Sequence, residues 1–215
     1  MYEWLVDVLE NVDRSLTPWV VVGMHASWYI TYPKHVYDPA NNKTEGDTAG
    51  MATYYEPLFN KYNVNIVFSG HTHAYERFYP TGEGNSCEDA SSGPTYITVG
   101  DGGAELDLPE ILTNFDQLEC SAYRNNDFYG FGFLKVYNES IAEWIWSPNP
   151  QGSERVPEDK ASLARMEDGY VDQTFILNYA TSSGADDSRT GEDDDDISEG
   201  SVEAPVRLCS ISLLA

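Results

Sequence analysis

The chain has 215 residues, 41% of them hydrophobic and 13% aromatic, and a formal net charge of −24 from 36 acidic and 12 basic side chains. That length supports one domain with a sizeable core, while the charge repels nucleic acid and phosphate esters at long range, which argues against a nucleic-acid partner. No apolar run approaches the ~20 residues of a membrane helix, which argues against a membrane partner, and the acidic start, "MYEWLVDVLENVDRSL", does not read as a signal peptide.

Trp4, Leu5, Val8, Leu9 and Val12 recur at helical spacing and predict an amphipathic helix over 2–13. Val20-Val21-Val22-Gly23-Met24 is a continuous apolar run suited to a strand buried on both faces, and His25 follows it directly. Residues 26–48 are polar, with Pro33, Pro39 and several Gly, Asn and Asp, and predict a long loop. A helix near 49–62, disturbed at Pro57, leads to a strand over 64–69. The order helix, strand, helix, strand is an α/β pattern with parallel strands.

Beyond residue 90 the texture changes. Segments 95–99, 131–137, 141–146 and 174–177 read as strands with antiparallel pairing, and "YNES" is short enough for a hairpin turn. From about 181, "TSSGADDSRTGEDDDDISEG" predicts a disordered acidic tail, closed by the apolar "VRLCSISLLA", which reads as a small docking segment or an artefact of gene prediction. The three cysteines, Cys87, Cys120 and Cys209, form no CxxC pair, which argues against a zinc ribbon or a thioredoxin-like site. Cys87 and Cys120 are a candidate disulfide in a secreted chain. Two sequons, at Asn42 and Asn138, lean the same way.

The four histidines, His25, His35, His71 and His73, all lie within one short part of the chain. The bases are scattered, so an anionic substrate has to meet another cation, and a bound metal is the remaining source. Imidazole is a frequent metal ligand because it is neutral near pH 7. In "SGHTH" the two rings sit at i and i+2, so an extended backbone points both one way, about 7 Å apart. They can thus address two ions about 3.5–4 Å apart. A single histidine after a strand is more often a hydrogen-bonded core residue than a metal ligand. The joint pattern is stronger, because His25 and the His71–His73 pair end neighbouring strands on one rim, where ligands gather in such sheets. Asp101 in "GDGG" reads as a turn cap or an acceptor for a ligating histidine. Glu76 and Arg77 read as a structural brace for the His71 loop, as a charge-assisted pair.

"VVVGMHASWY", "YYEPLFNKYNVNIVFSGHTHAYER" and "GPTYITVGDGG" together resemble the second half of a purple acid phosphatase, within the metallophosphoesterase superfamily. The matching motifs are a VxxH segment, Val22-Gly23-Met24-His25, and a GHxH segment, Gly70-His71-Thr72-His73. The resemblance implies the C-terminal part of a four-layer α/β/β/α sandwich. Residues 1–90 would be the second half of the catalytic core and 91–180 the segment completing it, with the acidic tail over 181–215. It implies hydrolysis of small phosphate monoesters at a dinuclear site, ferric iron beside zinc, manganese or a second iron. His25 and His71 would bind the divalent ion, His73 the ferric ion, and His35 would protonate the leaving group. The family's other motifs, GDxxY and GNH, do not occur in this chain, so it reads as a partial sequence. Rival readings are a metal-binding but inactive fragment with a His₃ zinc site, a non-catalytic interaction protein, or a phosphodiesterase or nucleotidase of the same superfamily. A secreted or vacuolar glycoprotein and a homodimer are the expected setting.

Overall fold

A computed structural model describes residues 1–32, 48–82, 93–103, 120–149, 157–165, 171–175 and 208–213. His35, Cys87, Asn42 and the aspartate run fall outside these residues. Two helices, α1 (Tyr2–Glu10) and α2 (Thr48–Lys61), accompany ten strands: β1 (Trp19–Met24), β2 (Ile66–Ser69), β3 (Tyr75–Pro80), β4 (Thr95–Val99), β5 (Ser121–Asn125), β6 (Gly130–Val136), β7 (Ile141–Pro148), β8 (Asp159–Arg165), β9 (Val171–Phe175) and β10 (Leu208–Leu213). The strands form a six-stranded sheet, β10-β1-β2-β4-β3-β5, and a four-stranded sheet, β6-β7-β8-β9.

In the first sheet β10, β1, β2 and β4 run parallel, and β3 alone runs antiparallel to both its neighbours, β4 and β5. The second sheet is antiparallel throughout. The expectation of antiparallel strands after residue 90 holds there, including the hairpin around Asn138. At β4 it holds on one edge, antiparallel to β3, while the other edge continues the parallel set from β2; it needs correcting at β10, which joins β1 in parallel. The tail expectation over 181–215 is likewise corrected at its end, because Leu208–Leu213 is an edge strand. β10 docks because β1 is buried on both faces and needs a neighbour on each side to satisfy its backbone.

Period-two alternation sorts β1 between two cores. Val20, Val22 and Met24 pack with Leu5, Leu9, Leu58 and Phe59 of the helices. Trp19 and Val21 pack with Ile66, Tyr75 and Ile97, and with Ala142, Trp144, Trp146, Ala161 and Leu163 of the second sheet. The described residues therefore make three layers, helices on sheet on sheet. Each fully buried aliphatic side chain contributes about 1.5–3 kcal/mol, so α1, too short to persist alone, is held by Leu5 and Leu9, one turn apart on one face.

β3 carries charges into the interior. Glu76 and Arg77 are both buried, and they point to opposite faces. Arg77 donates to Asp159 on β8 through Nε (2.7 Å) and Nη2 (2.8 Å). The Tyr75 hydroxyl donates to the same carboxylate at 2.5 Å and accepts from Trp144 Nε1 at 2.7 Å, and its ring stacks on Trp146 with centroids 4.4 Å apart. This polar seam fixes the second sheet against the first. The expected mutual pairing of Glu76 and Arg77 is absent: each finds its own partners, because adjacent residues of a strand face apart.

Candidate functional site

The parallel register places the carboxyl ends of β1, β2 and β4 side by side, with Gly23 opposite Phe68 and Ser69 opposite Thr98. His25, Gly70 to His73 and Gly100-Asp101 leave the sheet together at that rim. The first two exits are tied through the backbone, where the Gly70 N–H donates to the His25 carbonyl at 3.0 Å. His71 takes a left-handed conformation, φ 62°, uncommon for a residue with a side chain and a frequent mark of functional positions. The turn is kept tight by Thr72 N–H to the Gly70 carbonyl (2.7 Å) and Ala74 N–H to the Thr72 carbonyl (2.8 Å).

This geometry brings two of the candidate ligands together. His71 Nδ1 lies 3.1 Å from His25 Nε2, with ring planes inclined at 70°. Both rings are exposed and His73 is half-buried. Two nitrogens each 2.0–2.1 Å from one zinc-like ion stand roughly 2.9–3.4 Å apart at right-angled to tetrahedral geometry, so the observed separation fits adjacent positions on one cation. Without a cation, a neutral tautomer of one ring donates to the other. Among the described residues no three His, Cys, Asp or Glu side chains gather into a metal cage. His73 thus does not join the other two in a three-ligand cluster, and His35 lies outside the described residues.

The segment leaving His25 is anchored by Glu76. Its carboxylate accepts from Thr31 N–H (2.8 Å), Thr31 Oγ1 (2.6 Å) and Ser121 Oγ (2.5 Å), and Arg124 donates to Thr31 Oγ1 at 3.0 Å. Burial pushes the Glu76 carboxyl above its ordinary range, against these hydrogen bonds and the Arg124 charge. Asp101 is fully buried, and its Oδ2 accepts from Trp146 Nε1 at 2.9 Å. It therefore faces the second sheet through an indole, where a histidine partner was one expectation. Burial raises this carboxyl as well.

Sequence reasoning missed the Glu76–Thr31 anchor and the Arg77–Asp159 bridge. No short motif signals either, since the partners lie 45 and 82 residues apart. A groove of about 760 Å³ lies among Tyr2, Gly50, Met51, Tyr54 and Tyr55, and among the described residues no histidine lines it.

Comparison with known proteins adds a second line. A model of the calcineurin-like phosphoesterases matches residues 1–75, and one of the iron/zinc purple acid phosphatase-like protein C matches 93–154. A purple acid phosphatase of Glycine max is 36% identical over 159 residues, covering 70% of this chain and 32% of its own length. The Fe(3+)-Zn(2+) purple acid phosphatase 12 of Arabidopsis thaliana is 37% identical over 160 residues, 71% of this chain and 32% of that one. The purple acid phosphatase PPD1 from yellow lupin (Lupinus luteus) seeds shares the fold with a TM-score of 0.60 at 23% identity, over 84% of this chain and 31% of that one. The chain spans about a third of the length of the curated relatives it matches.

Proposed function

Because the chain belongs to the purple acid phosphatases, we propose that the whole protein hydrolyses small phosphate monoesters at a dinuclear centre to which this chain contributes His25, His71 and His73. The observation that carries the reading is the approach of His71 Nδ1 to His25 Nε2, 3.1 Å, at the ends of adjacent parallel strands. These two rings would hold the divalent ion and His73 the ferric one. The relative named for Fe(3+) and Zn(2+) supports that metal pair, with manganese or a second iron as alternatives to zinc. When bound, such a pair acidifies a water molecule and neutralises charge on phosphoryl oxygens.

The chain's own residues do the rest. The Gly70–Ala74 turn presents His71 to His25. Glu76 holds Thr31, and with it the segment that leads on toward His35. His35 is the candidate acid that hands a proton to the departing alkoxide oxygen. The net charge of −24 disfavours nucleic acid as substrate. A disulfide-bonded Cys120 supports a secreted or vacuolar setting, and an exposed Asn138 sequon in the β6–β7 turn fits a glycoprotein. A homodimer is the assembly we propose.

Assay of the full-length protein on p-nitrophenyl phosphate and on its bis-ester tests this. The monoester is expected to turn over faster, and His71→Ala to lose more than about 100-fold, beyond the 10–100-fold typical of losing a ligand's outer partner. Preference for the bis-ester would assign the protein to diester chemistry. A second reading rests on the meeting of only two of the three rings: this chain alone binds a metal without catalysing. Zinc titration of the chain beside its His71→Ala variant checks it, and equal uptake by both would remove the histidine site altogether.

A further inference from the structure

We propose that Gly100 and Asp101 are positioning residues for the His71–His73 loop, a role that rests on reading that loop as metal-binding. The Gly100 N–H donates to the Ala74 carbonyl at 3.1 Å, which lays the turn after β4 directly on the loop. A Cβ at Gly100 would stand 1.8 Å from the Thr72 carbonyl oxygen, 2.7 Å from its carbon and 3.4 Å from the His73 nitrogen. All three are backbone atoms and cannot swing aside as a side-chain tip does. Any side chain at 100 therefore displaces the loop from the rim.

Asp101 fixes the opposite side of the same turn. Its carboxylate holds Trp146 Nε1 at 2.9 Å and its carbonyl accepts the Gly130 N–H at 3.1 Å. Room for the first bond exists because position 130 has no side chain: a Cβ there would lie 2.5 Å from both Asp101 Oδ2 and Trp146 Nε1. The turn is thus wedged between the histidine loop and the second sheet. With Thr72 held by short bonds on both sides and His71 already left-handed, the loop has little slack. A push on the Thr72 carbonyl reaches His71 and opens its 3.1 Å approach to His25. Gly102, in the same turn, supplies the contrast, because a Cβ there meets nothing within 4 Å.

The test uses the full chain, wild type and with Gly100→Ala, Gly102→Ala, Asp101→Ala or Asp101→Asn. It is read by nitrogen NMR of the imidazole rings without metal and by calorimetric titration with zinc alone. Gly100→Ala and Asp101→Ala are expected to move the His25 and His71 ring resonances and to weaken zinc binding about 10- to 100-fold. Gly102→Ala, and Asp101→Asn, which keeps an acceptor for the indole, are expected to match wild type in both. Wild-type resonances and affinity in Gly100→Ala and Asp101→Ala overturn the proposal, as does an equal change in Gly102→Ala. Should Gly100→Ala not fold, Asp101→Ala against Asp101→Asn decides by the same criteria. If the wild-type chain takes up no zinc, the metal reading falls, while the ring resonances still decide the positioning role.

Discussion

Glu76 shows how a single buried carboxylate is tolerated beside the candidate site. Three donors and a nearby guanidinium surround it, yet burial outweighs them and its carboxyl titrates above the ordinary 4.5. A carboxyl raised on folding binds its proton more tightly in the native state. Its contribution to stability is therefore fully present below the unfolded value and is lost as pH rises through the folded one. Glu76→Gln, which cannot ionise, is expected to gain on wild type as pH climbs from about 4 to 7, since titration starts near the ordinary carboxylate range. Urea denaturation of both proteins across that range measures it, and a pH-independent difference would contradict the assignment. The histidines at this scale were legible because their residue type and spacing name a chemistry. Glu76, Arg77 and Asp159 were not, because a charged residue in a sequence looks exposed until its distant partner is known.

At the scale of elements, strands with uniform apolar runs were readable and strands with mixed composition were not. β1 and β2 announce themselves by consecutive Val, Ile and Phe. β8, "DKASLAR", is built from good helix formers, and only Ala161 and Leu163, two apart and both buried, betray the strand period. β3 hid behind its charges and its terminal Pro80. β10 was left open as a docking segment, since a short apolar-rich stretch after a polar one fits several fates. Its place beside β1, with Val22 opposite Ile211, makes a definite prediction. Ending the chain after residue 207 removes the buried Ile211 from the helix-side core and bares the backbone of β1. Loss of that side chain alone costs about 1.5–3 kcal/mol, and an exposed apolar edge invites self-association. A lower melting temperature together with increased light scattering is expected; an unchanged, monodisperse protein would show that β10 does not cover β1.

For the whole molecule, the described residues join the two sheets by a hydrophobic seam and by the polar contacts of Tyr75, Arg77 and Asp101, while Cys120, at the head of β5, adds a covalent tie of its own. Cys120 is disulfide-bonded, and its carbonyl accepts the Tyr79 N–H at 2.9 Å. Loss of such a bond commonly costs about 2–5 kcal/mol, so reductant is expected to lower the denaturation midpoint, and Cys120→Ser to match the reduced wild type. A midpoint indifferent to reductant would show the bond adds nothing to the fold. The sheet order carries one further consequence. Trp19 of β1 lies opposite Leu208 of β10, so β1 waits for a partner made about 190 residues later. At about 5–20 residues per second, that wait is roughly ten to forty seconds on the ribosome. Throughout it the outer edge of the valine-rich β1 stays open, which makes this interval the moment when chaperone capture matters most.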